Sequence, residues 1–133
     1  MDLTSIELAG SVISAVKVAD GEVRIRFEPA YLLQRMAGAE NMSRWWQNLE
    51  LVFEEAELLE GAEAGLPATC AGGDVIDNVY TYRDMIPVPL EGRGRAGCSL
   101  RLEENGTTIR VEAEGVRLEQ EDHPRYIEHI SRK

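Results

Sequence analysis

Asp74, Asn78, Tyr80, Tyr82 and Asp84 occupy even-numbered positions within one short stretch. On an unbroken strand, where side chains alternate between faces, all five share a face. Tyrosine rings stack on the C–H faces of a sugar or similar polar ligand while amide and carboxylate groups take its hydroxyls, so these five form a candidate ligand site. Tyrosine is also an ordinary residue of β-sheets, and the same pattern serves a purely structural strand.

General acid–base chemistry needs a donor and an acceptor within reach of one substrate proton. Asp77, Asp84 and His129 are the groups that a small hydrolase or isomerase would draw on. For a nucleophile, Cys70 stands close to Gly72-Gly73 in a stretch that reads as loop, where backbone amides could stabilise an oxyanion. Neither a G-x-S-x-G elbow nor a local cysteine signature accompanies it. His123 and His129 lie near Glu121, Asp122 and Glu128, but their six-residue spacing matches neither the i, i+4 pair of a helix nor the H-x-H pair of a strand. No metal site is expected. Arg93 and Arg95 alternate with glycines, without the Lys-Ser/Thr of a phosphate loop, and Glu91 to Arg95 reads as a flexible turn.

Trp45 and Trp46 are adjacent. On a strand they point to opposite faces, which sends one toward the core and leaves the other for an interface. Cys70 and Cys98 form no CxxC pair and are expected as free, half-buried thiols, with a disulfide open to them only outside a reducing compartment.

Those residues need elements to hold them, and the strongest signal is β-hairpins. Cys98, Leu100 and Leu102 alternate with polar residues before Asn105-Gly106, and Ile109, Val111 and Ala113 alternate after it. Asn-Gly and Asp-Gly tolerate the positive φ of a type I′ turn. A second hairpin surrounds Asp20-Gly21, with Val12, Val16 and Val18 before it and Val23, Ile25 and Phe27 after it; Arg24 and Arg26 face water or a partner. Ile6 to Ala9 adds a short strand. After Pro29, Ala30 to Leu33 fits either a strand or one helical turn, and Gly38 to Ser43 reads as loop. Gly61 to Gly73 reads as a long surface loop and Val75 to Arg83 as a strand. Met85 to Leu90 reads as an edge or crossing segment, because Pro87 and Pro89 cannot donate to a ladder. Gly115 marks a bulge. The tail from Asp122 fits a short strand or a frayed end.

Residues 44–60 are ambiguous. Ser43 could cap a helix with Trp45, Leu49, Val52, Phe53, Ala56 and Leu59 on one side, closed by Gly61. Leu49, Leu51 and Phe53 equally alternate with Asn48, Glu50 and Glu54 as a strand requires, and consistency with the hairpins favours the strand.

The 133 residues suit one domain, 1–133, with a core that needs no metal or disulfide. The 24 acidic and 14 basic side chains leave a net charge of −10, a field that repels nucleic acid and anionic membranes. The start of the chain lacks the basic and apolar runs of a signal peptide, and a cytoplasmic setting is expected. The expected fold is mainly β: an antiparallel sandwich or flattened barrel of about six to nine strands, or α+β should residues 44–60 form a helix. The expected function is a non-catalytic interaction module or small homo-oligomer with a protein partner and no cofactor. A small-ligand-binding β-domain comes second, and a β-barrel hydrolase or isomerase third.

Overall fold

The computed structural model describes residues 3–35, 41–104 and 106–130. In chain order its strands are β1 (Leu3–Glu7), β2 (Val12–Ala19), β3 (Glu22–Arg35), β4 (Met42–Phe53), β5 (Glu57–Glu60), β6 (Ala68–Asp77), β7 (Tyr80–Arg83), β8 (Met85–Val88), β9 (Glu91–Leu102), β10 (Thr108–Gln120) and β11 (Arg125–Ile130). No helix occurs among the described residues, and hence none long and apolar enough to cross a membrane.

Hydrogen bonding follows the order β11-β4-β10-β9-β6-β2-β3-β1-β8, and β4 also pairs with β3. That last pairing closes an antiparallel ring of six strands, β4-β10-β9-β6-β2-β3, which is a barrel. The Asp20-Gly21 turn forms as the sequence requires. Asp20 and Gly21 have φ of 53° and 78° and bring Ala19 opposite Glu22. At the other hairpin Gly106 has φ of 67° and Arg101 faces Thr108; Asn105 lies outside the described residues, as do 38–40 of the expected loop and 131–133 of the tail. Within 38–43, Met42 and Ser43 already belong to β4.

Strands β3 and β4 are long enough to serve two sheets. Their inner parts, Val23–Phe27 and Leu49–Phe53, are staves of the barrel. Pro29 cannot donate to a ladder, and here the β3–β4 register shifts between Phe27 and Ala30. The outer parts run on beyond the shift, flanked by β1 and β8 on one side and β11 on the other. A five-stranded sheet, β8-β1-β3-β4-β11, thus grows out of the barrel wall.

The inward rows meet in one core. Val23, Ile25, Phe27, Leu49, Leu51, Phe53, Leu100 and Ile109 are fully buried, joined by Ile6, Leu32 and Ile86 from the outer sheet. Each such side chain contributes about 1.5–3 kcal/mol by leaving water. Ser11 is the buried polar residue that ties the sheets. Its hydroxyl donates to Glu7 O at 2.5 Å and accepts from Tyr31 N–H at 3.0 Å.

Residues 44–60 form strand β4, a turn and strand β5, so the helical alternative is excluded. The helical signal came from Val52, which breaks the alternation between Leu51 and Phe53. Val52 lies opposite Arg24 and Arg117 on the barrel's outer face yet is fully buried outside the main core, because the long arginine stems cover it.

Three other readings are corrected. The loop after Gly61 ends at Pro67, and residues 68–73 are barrel wall. Gly72 and Gly73, with φ of 138° and 151°, let β6 approach β9 so closely that a Cβ on Gly73 would lie 2.1 Å from Ser99 O. Residues 75–83 are the end of β6 and a returning β7, joined at Asn78-Val79. Glu91–Arg95 is not a turn but the start of β9, paired with β10 around the shift at Gly115.

Candidate functional site

The reversal at Asn78 redistributes the five residues of the expected ligand face. Asp77 lies opposite Tyr80 and Val75 opposite Tyr82, whereas Asp74 lies opposite Arg83. Tyr80 and Tyr82 therefore share a face with Asp77 and the core residue Val75, and Asp74 belongs to the other face, its carboxylate 3.3 Å from Arg83 Nε. The single shared face is a correction, since period-two counting fails once the chain turns back. The two rings are nearly parallel, 16° apart in plane with centroids 6.0 Å apart. Tyr80 is exposed and Tyr82 is half-buried against the core.

Asn78 and Asp84 are committed to the backbone. Asn78 has φ of 57°, its N–H donates to Arg95 O at 2.6 Å, and its side-chain amide donates to Asp77 Oδ1 at 2.9 Å and Arg93 O at 2.7 Å. Gly92 and Gly94 make room for this turn, because a Cβ on either would collide with Asp77 or Asn78. Asp84 Oδ1 accepts the Gly73 N–H at 3.0 Å.

The acid–base candidates sit on separate elements, and the nucleophile candidate Cys70 shares β6 with Asp77. Asp77 ends β6, Asp84 follows β7, and His129 is exposed on β11 opposite Ser43. Cys70 and Cys98 are free and fully buried rather than half-buried; burial pushes both thiols up, away from the reactive thiolate. Among the described residues no group of three His, Cys, Asp or Glu side chains is gathered for a metal ion.

The tryptophans point to opposite faces, as their adjacency on a strand requires. Trp45 packs against the core, edge-on to Tyr126 at 5.3 Å and 77°, and its Nε1–H donates to Ser43 Oγ at 2.8 Å. Trp46 lies on the solvent side of the outer sheet, directly across from Tyr31, with the Arg125 guanidinium 5.0 Å from its ring centroid. Beside them runs a groove of about 440 Å³ lined by Glu28, Pro29, Tyr31, Trp46, Asn48 and Ile127. Next to the rings, Arg44 bridges Glu7 at 3.1 Å and Glu128 at 2.9 Å.

A lattice of ion pairs covers the opposite end of β3 and β4. Arg24 meets Glu22, Glu50 and Glu119 at 3.0, 2.9 and 2.8 Å. Arg117 joins Glu119, Glu22 and Glu54, and Arg26 joins Glu28 and Glu121. Hydrogen bonds from Arg24 and Arg117 hold the Glu119 carboxyl below its usual range, and Arg26 does the same for Glu121. Sequence reading missed these partners because they come from three strands and from Glu54 and Glu121 just beyond two of them, although Arg24-x-Arg26 and Arg117-x-Glu119 carried the alternation. It also missed a groove of about 540 Å³ over Gly97 and Ile76, bordered by Glu55, Glu57, Glu112, Glu114 and Arg95.

Against this geometry, comparison with protein-family models, curated proteins and solved structures found no match to the chain.

Proposed function

We propose that this chain is a non-catalytic interaction domain that holds an extended, basic segment of a partner protein in the groove beside Trp46. The observation that carries the reading is the cross-strand pair Tyr31 and Trp46 on a solvent-facing sheet, with Glu28 at its border. Tyrosine and tryptophan are the side chains that most often anchor interfaces, since they offer apolar area at low entropic cost. An apolar or proline side chain of an extended segment fits between such rings, as in other aromatic-lined grooves. Glu28 and the net charge of −10 favour Lys and Arg on that segment. A cytoplasmic setting belongs to this reading and is supported by two thiols left unpaired.

The test is a tryptophan-fluorescence titration with a synthetic peptide of alternating arginine and proline, beside its glutamate-for-arginine counterpart. Saturable binding of the basic peptide, weakened about tenfold or more by Trp46→Ala, is expected. Equal affinity of the two peptides, or of the variant and the parent, overturns the reading.

A second reading, a small polar ligand at Tyr80 and Tyr82, is favoured by their parallel rings. It expects a co-purifying adduct in native mass spectrometry that disappears in the Tyr80→Ala, Tyr82→Ala double variant; an adduct retained there removes these residues from the account.

A further inference from the structure

Strand β2 parts from β6 almost at once. Only Val12 and Ile13 are in register with β6, opposite Thr69 and Ala68. The next residue on the β6 side is Pro67, which has no N–H to offer a ladder, and Ser14 is an extra residue in the β2–β3 register. From Ala15 to Ala19 the strand pairs with β3 alone. The two-residue turn makes Ala19 and Glu22 a pair that exchanges both backbone hydrogen bonds, and by alternation Lys17–Arg24 and Ala15–Arg26 do the same. The N–H and C=O groups of Val16 and Val18 therefore point away from β3, and no hydrogen bond among the described residues reaches them. Val18 adds a second sign. It shares the inward face of its partner Val23, which is fully buried, yet it is 57% exposed. An inward-facing valine open to water marks an unfilled place in the barrel wall.

We propose that a second copy of this chain pairs at this place, β2 against β2, antiparallel about a two-fold axis. The edge is self-complementary, as a two-fold interface requires. In the register centred on Val16, the valine faces Val16 of the second copy, Ser14 faces Val18, and Ala15 faces Lys17. Each Lys17 then stands opposite an alanine; the neighbouring register sets Lys17 opposite Lys17 and is disfavoured by like charge. Residues 14–19 carry a single charge, positive, in a chain of net −10. Two acidic molecules repel least where carboxylates are absent, and each Lys17 is drawn to the acidic surface of the other copy. The two ends of the strand order, β8 and β11, are better guarded. β8 contains Pro87 and is followed by Pro89, while β11 is charged and irregular in register. Five residues a side make a small seam, so the dimer is weak and depends on concentration.

Sedimentation velocity over a concentration series up to about 1 mM, paired with amide exchange at both ends, tests this. The mass is expected to rise from one chain to two. The Val16 and Val18 amides gain protection with it, while those of Ala15, Lys17 and Ala19 are protected throughout. Val18→Pro removes only an outward N–H and is expected to fold as a monomer; Lys17→Glu, which leaves the backbone intact, is expected to weaken the dimer at least several-fold. A chain monomeric throughout overturns the proposal. So does a dimer in which the Val16 and Val18 amides exchange freely, an outcome that puts the contact elsewhere and leaves the reading of the Trp46 groove standing.

Discussion

Ser11 illustrates how much one small side chain can hold. It is fully buried and its hydroxyl serves a carbonyl of β1 and an amide of β3 at once. Ser11→Ala leaves the Tyr31 N–H buried without a partner, which costs about 1–3 kcal/mol. A urea titration should show the lower midpoint with an unchanged slope; an unchanged midpoint would mean that water replaces the hydroxyl. Nothing in the sequence distinguishes Ser11 from the neighbouring Ser14, because its partners are backbone groups of residues 7 and 31. Trp45 and Trp46 were more legible, since opposite orientation follows from adjacency alone. Val52 was illegible for the opposite reason to Ser11: a valine whose cover is built from arginines on two other strands imitates a helical position.

At the scale of elements, both hairpins, the edge character of Met85 to Val88 and the strand reading of β4 could be read from period-two alternation and from proline placement, and the first hairpin from its Asp-Gly turn as well. What could not be read were the places where glycine or asparagine does something other than end a strand. Gly72-Gly73 and Gly92-x-Gly94 look like loop composition. In the folded chain they mark close approaches, of β6 to β9 and of the Asn78 turn to β9. Two substitutions separate these roles. Gly21→Ala meets no atom within 4 Å and incurs only the cost of a left-handed backbone, φ 78°, about 1 kcal/mol. Gly73→Ala adds a collision with the Ser99 carbonyl and is expected to lower Tm several times further. Similar losses in thermal unfolding would show that β6 can move away from β9 at little cost.

For the whole molecule, the acid dependence of stability should trace to the ion-pair lattice on β3, β4 and β10. The Glu119 carboxyl lies below its ordinary 4.5 in the folded chain. Its contribution is therefore complete above about 4.5 and is lost as the pH falls through the lowered value. Glu119→Gln should flatten the decline in urea midpoint between about pH 5 and pH 3 while leaving the fold intact. A parallel decline in parent and variant would assign the acid sensitivity to other carboxylates. Solvent reaches this lattice, so high salt should reduce the difference between the two proteins.

The continuity of β3 and β4 has a mechanical consequence. A partner pulling on the outer sheet along these strands loads their shared ladder in shear, with the Val23–Phe27 and Leu49–Phe53 rungs resisting together. The same pull applied across the strands at β11 or β8 meets one rung at a time. The domain should thus bear tension well along one axis and peel along the other, so the direction in which a tether leaves the outer sheet decides whether the barrel feels it.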